Sequence, residues 1–362
     1  MARATVIRTA AGNGKTPEPV IILAPIGSKG SVLTAALGRH PELFAAPHMN
    51  LLAFETPAQF SRFAKAPRDV HIHGLFRLLS LLLAGERSIE GVQAANRWLA
   101  RHQNLETRVV HRMIAGWLHP KRLVEYSPLY AHHSRVLARV VAAVPNATFI
   151  HLVRHPSATA MEIARAAMQT LTATANYWTA ESSNQPSLDV IELTDTVVDW
   201  QADPPVFDAQ FLWYRTHTSI AAALADLPRD QVIRVRAEDL LEKPQATLAS
   251  ICRRLGLPMT DELPTEMLRI EEDAFARPGP FGAAAGADLD FISDRIFPEP
   301  DALQPMAGEL AWRGDGVGYR PEVIALAEEL GYRSTGRLGP ALPRWKILST
   351  RKPPAKHASD LR

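Results

Sequence analysis

The sequence predicts an α/β fold, a parallel sheet flanked by helices, and three observations carry that expectation. Val20 to Leu23 is a short β-branched and aliphatic run suited to a strand buried on both faces, and Pro25 and Gly27 end it before a helix begins. Thr148 to Val153, TFIHLV, is the strongest strand signal in the chain, with Arg154, His155 and Pro156 at its C-terminal end. Between and after these runs, strand and helix patterns alternate, as a parallel sheet with crossover helices requires. With 362 residues and 46% hydrophobic content the chain can bury a large core. One domain is expected over residues 19–335, between a flexible leader at 1–18 and a basic, proline-rich tail at 336–362.

After the first strand, a helix is expected from about Ser31 to Gly38, with Val32, Leu33, Ala36 and Leu37 on one face. A loop carrying His48 leads into an apolar, helix-rich insertion at 57–119, whose helices run from His71 to Ala84, Ser88 to Ala100 and Leu105 to Leu118. An insertion of this length between two α/β units is suited to form a substrate cap, and its Leu-rich stripes also suit plain packing. Lys121 to Glu125 returns to strand character, and Leu129 to Val144 is an amphipathic helix stopped by Pro145. Residues 181–209 form a polar, acidic excursion. There follow a helix from Gln210 to Leu227, a strand from Val232 to Arg236 and a helix from Gln245 to Leu255. A Pro- and Gly-rich loop from Arg277 to Gly318 precedes a last helix from Glu322 to Leu330.

The chemistry begins at Gly27, Ser28, Lys29, Gly30 and Ser31, between the first strand and its helix. Free N–H groups at a helix start, two hydroxyls and the helix dipole together solvate an oxyanion, although glycine-rich turns also occur for steric reasons alone. Gly12 to Thr16, GNGKT, ends like a phosphate loop, but Thr9 stands where the first glycine is required and the segment precedes the strand. Ligands of open α/β sheets bind beyond the C-terminal ends of strands, which directs attention to Arg154 as well. A net charge of only +2 argues against a nucleic-acid partner and leaves a local anionic ligand easy to hold. The single cysteine, Cys252, excludes an internal disulfide and lies in an apolar helical setting. The histidine pairs His71/His73, His132/His133 and His151/His155 lack matched ligand spacings, so no metal site is expected. No apolar run approaches the roughly 18 residues of a membrane span and no apolar signal core is evident, so a soluble cytoplasmic protein is expected.

Five further segments follow the loop in order: HPEL (His40 to Leu43), LVEYSPLYA (Leu123 to Ala131), FIHLVRHP (Phe149 to Pro156), VRAEDLLEKP (Val235 to Pro244) and ICRRLGLP (Ile251 to Pro258). With a late Trp312-Arg313-Gly314 segment, they make the chain resemble the sulfotransferase family from about residue 19 to 333. The likeness is greatest to the bacterial branch that includes stand-alone enzymes and sulfotransferase domains of polyketide assembly lines. The resemblance implies a P-loop-like three-layer parallel sheet with a helical cap over the substrate. It also implies transfer of a sulfuryl group from 3′-phosphoadenosine 5′-phosphosulfate to a hydroxyl of a natural-product or carrier-bound substrate. On that pattern the first loop binds the 5′-phosphosulfate with help from a Lys or Arg, and Arg154 and a Ser about two helical turns later hold the 3′-phosphate. Trp312 and Arg313 would cover the nucleotide, and His48 falls where the branch carries a catalytic Glu. Histidine suits a general base near neutral pH.

Departures from the pattern bear on its use. Aligned on Pro25 and Ser28, Gly27 occupies the Lys/Arg position and Lys29 the Gly position; Glu162 stands where the Ser is expected, and Tyr126 replaces a usual lysine. A carboxylate beside a phosphate is repulsive. Three functions stay open: the family's transfer with His48 and Lys29, another reaction on a biosynthetic intermediate with His48 as acid or base, and non-catalytic binding.

Overall fold

Val20–Leu23 (β1) is fully buried on both faces, as its unbroken aliphatic run predicts. The structure is a computed structural model describing residues 16–63, 70–164, 197–199, 201–288, 291, 297–298, 306–310 and 312–333. Residues 1–15 of the expected leader, 181–196 of the polar excursion and the whole tail from 336 lie outside these. The other strands of the sheet are Leu43–Ala46 (β2), Arg122–Tyr126 (β3) and Thr148–Val153 (β4). After a short antiparallel pair, Val198–Asp199 (β5) and Val206–Phe207 (β6), the last strand is Val232–Arg236 (β7). The five-stranded sheet has the order β2-β3-β1-β4-β7, with every neighbouring pair parallel.

Helices cover both faces. In chain order they are Gly30–Gly38 (α1), Pro57–Phe63 (α2), His73–Ala84 (α3), Ile89–Arg101 (α4), Thr107–Trp117 (α5) and Ser134–Ala143 (α6). Residues 156–164 (α7), Gln210–Leu224 (α8), Ala237–Glu242 (α9), Pro244–Arg254 (α10) and Pro321–Glu329 (α11) follow. Alternate strand residues point to opposite faces. Val20, Ile22, Ile150, Leu152, Ile233 and Val235 therefore pack with α1 and α10, whereas Ile21, Leu23 and Phe149 pack with α6 and α8. The result is the expected three layers. Helices α2 to α5 lie between β2 and β3 in the chain and share a core of their own, in which Leu75, Leu78, Leu79, Trp98, Val110 and Ile114 meet Phe275. Ser88 caps α4 by accepting the Gly91 N–H at 3.0 Å.

Several elements differ from the sequence expectation, and two of the differences have a clear local cause. The loop ahead of His48 contains β2, whose LFAA text includes two alanines of weak strand propensity and forms because β3 pairs with it. The helix expected from Leu129 begins at Ser134, after a 3-10 turn at Pro128–Tyr130, because the His133 side chain caps it there by accepting the Arg135 N–H. Strand order decides where a ligand can sit. From β1 the chain runs outward to β2, returns through β3, and then crosses to β4 on the other side of β1. The C-terminal ends of β1 and β4 thus flank the crevice at which strand order reverses. No helix among the described residues is long and apolar enough to cross a membrane.

Candidate active site

The loop from β1 to α1 is shaped by two glycines, each making room for one of the unusual side chains. Gly27 has φ +82°, and a Cβ there would lie 2.7 Å from the Glu162 Cβ and 3.3 Å from the Thr159 carbonyl oxygen. A Cβ on Gly30 would come within 2.5 Å of the Tyr126 ring, whose hydroxyl donates to the Pro25 carbonyl at 3.3 Å. Lys29, at the N-cap of α1, has φ 63° and ψ 31°. It therefore holds the left-handed geometry natural to the glycine that the family pattern places there, at about 1–2 kcal/mol for a residue with a Cβ. Ser28 is fully buried, and its Oγ has no hydrogen-bond partner among the described residues.

Both expected cations meet one carboxylate. Lys29 Nζ lies 2.9 Å from Glu162 Oε1, and Arg154 Nη1 lies 3.7 Å from the same oxygen. Arg154 is buried at the end of β4, donates to the Gly27 carbonyl, and has its own carbonyl bound by the Trp213 indole N–H at 2.9 Å. Glu162 is thus shared, with Lys29 the nearer partner.

His48 follows β2 and reaches the other end of the loop. Its Nε2 lies 2.9 Å from Ser31 Oγ and 3.8 Å from Asp288 Oδ1, with the Tyr126 ring edge-on at 5.1 Å. Burial holds the His48 pKa below its ordinary value, an effect that Asp288 opposes. The imidazole is therefore neutral near pH 7 and able to accept a proton. Asp288 was not legible in the sequence. Its backbone N–H donates to Ser31 Oγ at 2.9 Å, and its Oδ2 accepts the Ser31 N–H at 3.1 Å. A carboxylate from a loop 257 residues away therefore occupies an amide at the start of α1.

That loop is a strap pinned to α3. Gly286 accepts the His48 N–H at 2.7 Å, and the Ala285 N–H donates to His73 Nδ1 at 3.1 Å. Buried Arg77 donates to the carbonyls of Phe275 and Ala285, at 3.1 Å each, and to that of Arg277. A Cβ on Gly74 would meet the His48 carbonyl at 2.1 Å, so backbone lies against backbone at this crossing. Beneath the strap, Ser31, His48, Asp273, Phe275 and Phe291 line a cavity of about 20 Å³, enough for one water.

The remaining candidates sit elsewhere in the wall. The Arg313 guanidinium is enclosed by Asp208 at 2.5 Å, Asp315 at 2.7 Å and Asp199 at 3.1 Å, and so fastens the β5–β6 pair. Trp312 packs edge-on to Tyr319 at 5.9 Å and against the buried cluster that includes Ala160, Ile163 and Leu212. Glu125 is a fully buried hub: it bonds His111 at 3.0 Å, Ser127 at 2.8 Å and Tyr130 at 2.6 Å. Ser127 in turn accepts the Asn50 N–H at 2.9 Å, which fixes the turn just after His48.

Comparison with known proteins agrees with this fold. The model of the sulfotransferase family matches residues 19–261, about two-thirds of the chain, and the protein belongs to that family. Among solved structures, the sulfotransferase domain from the curacin biosynthetic pathway is 21% identical, with a TM-score of 0.60 over 89% of this chain and 100% of its own. The sulfotransferase domain from the Synechococcus PCC 7002 olefin synthase is 20% identical, with a TM-score of 0.63 over 90% and 99%. These likenesses establish the fold. Sequence comparison with curated proteins gives no match.

Proposed function

We propose that the protein is a transferase moving a sulfuryl group from a nucleotide-borne donor to a hydroxyl of a natural-product or carrier-bound substrate. The observation that carries this reading is the 2.9 Å contact between His48 and Ser31, which sets a neutral imidazole one hydrogen bond from the start of α1. In the transfer, an acceptor oxygen forms a bond to sulfur as the bridging sulfur–oxygen bond of the donor's phosphosulfate anhydride breaks. The acceptor proton goes to His48 Nε2 and the electron pair stays on the departing phosphate. The loop amides, Lys29 and the buried, unpartnered Ser28 hydroxyl suit that phosphate, and satisfying such a hydroxyl recovers about 1–3 kcal/mol. The family's 3′-phosphoadenosine 5′-phosphosulfate suits the loop at its 5′ end but sets its 3′-phosphate against Glu162, where the pattern expects a serine.

The test offers a pool of hydroxylated acceptors with either adenosine 5′-phosphosulfate or its 3′-phosphorylated form, and follows sulfated product by mass spectrometry. Product is expected, and His48→Ala should lower its rate about 10²–10⁴-fold. Because the His48 pKa is depressed, the acidic limb of kcat/KM should lie below the ordinary histidine midpoint of 6.5. No product from either donor would overturn the reading. One observation favours non-catalytic binding instead: the Asp288 carboxylate already lies on the Ser31 amide.

A further inference from the structure

The geometry points to a donor with one anionic end in the loop and a free ribose hydroxyl beside Glu162, a nucleoside 5′-phosphosulfate without a 3′-phosphate, whose spent form is the nucleoside 5′-phosphate. This rests on the transferase reading above and names its donor class. Glu162 is fixed on three sides: Lys29 Nζ holds its Oε1 at 2.9 Å, Arg154 Nη1 lies 3.7 Å from that oxygen, and its Cβ fills the space that a side chain on residue 27 would need. Its side chain is only 14% exposed, so it has little room to withdraw from an incoming ligand.

Charge argues the same way. Two cations share the one carboxylate at this end of the crevice, and Asp288 brings a further negative charge to the other end of the loop. A single 5′ anion can be held there by Lys29 and the amides. A second phosphate beside Glu162 would meet a carboxylate that already occupies the neighbouring cations. A hydroxyl in the same place donates to that carboxylate. Nucleotide enzymes that distinguish a ribose hydroxyl from a ribose phosphate use this device, an acidic residue for the hydroxyl and an arginine for the phosphate. A Cβ on Gly27 would meet the Glu162 Cβ at 2.7 Å, so the loop backbone lies directly against this stretch of α7.

The experiment is calorimetric titration of the full chain with adenosine 5′-monophosphate and with adenosine 3′,5′-bisphosphate. The monophosphate should bind at least tenfold more tightly. Glu162→Ser should move the ratio of the two constants at least tenfold toward the bisphosphate, and Glu162→Gln, which keeps the side chain's shape, should move it in the same direction. A wild-type preference for the bisphosphate, equal affinities, or a ratio that neither substitution moves would overturn the inference and leave sulfuryl transfer standing. Binding of neither nucleotide would overturn both. The expected selectivity without sulfated product would remove only the transferase reading.

Discussion

At the scale of residues, Gly27 and Glu162 lie against each other across 135 positions of sequence. Gly27→Ala would force a Cβ to 2.7 Å from the Glu162 Cβ at a φ of +82°. The expected loss is about 2–3 kcal/mol, read as a lowered denaturation midpoint. Glu162→Ser should not rescue it, because serine keeps the colliding Cβ, whereas Glu162→Gly should recover part of the loss. Full rescue by serine would show that the loop backbone yields. It follows that restoring the family's usual residues at 27 and 162 together does not rebuild the family's loop. The sequence displayed both departures and the shifted lysine, but a pattern aligned position by position treats each as a separate loss. Only the fold shows Lys29 and Glu162 as partners at 2.9 Å.

At the scale of elements, legibility followed the kind of signal. β1 and β4 are unbroken apolar runs buried on both faces, and α1, α3, α4 and α5 carry helical periodicity, so all were readable from composition and spacing. β2 was not, since its identity comes from pairing with β3, and a four-residue strand with two alanines has little signal of its own. The strap was harder still. Its course is set by Arg77 and by backbone contacts to His48 and His73, partners some 200 residues away in the chain. Arg77→Ala removes the donors to the Phe275, Arg277 and Ala285 carbonyls, and buried hydrogen bonds to a charged group contribute about 1.5–3 kcal/mol each. Faster amide exchange across 275–288, with β1 and β4 unchanged, is the expected result. Unaltered exchange in the strap would mean that other contacts hold it.

At the scale of the whole molecule, the histidine pair between β4 and α8 links acidity to stability. His151 and His217 lie 2.9 Å apart and buried; burial pushes His151 down to about 3 and His217 well below its ordinary 6.5. The folded chain refuses protons that the unfolded chain accepts. Stability is therefore complete above about pH 6.5 and declines as pH falls toward 3, by up to about 1.4 kcal/mol per pH unit for each histidine that must charge. Thermal midpoints should drop between about pH 6.5 and about pH 5, above the range where most carboxylates titrate, and His217→Gln should flatten that slope. An unchanged slope would assign the acid sensitivity to other groups.

The strap also makes the protein its own competitor. Asp288 is tethered to the Ser31 amide that an anion in the proposed donor site would need, so on that proposal its effective concentration there is that of a tethered group, on the order of millimolar or above. An external ligand binds only the fraction of molecules in which that carboxylate has let go, and its apparent dissociation constant rises in inverse proportion to that fraction. Weak affinity for a free nucleotide would then measure the occupancy of the internal rival as much as the quality of the crevice. A substrate that itself engages the strap would sharpen nucleotide binding without touching the nucleotide.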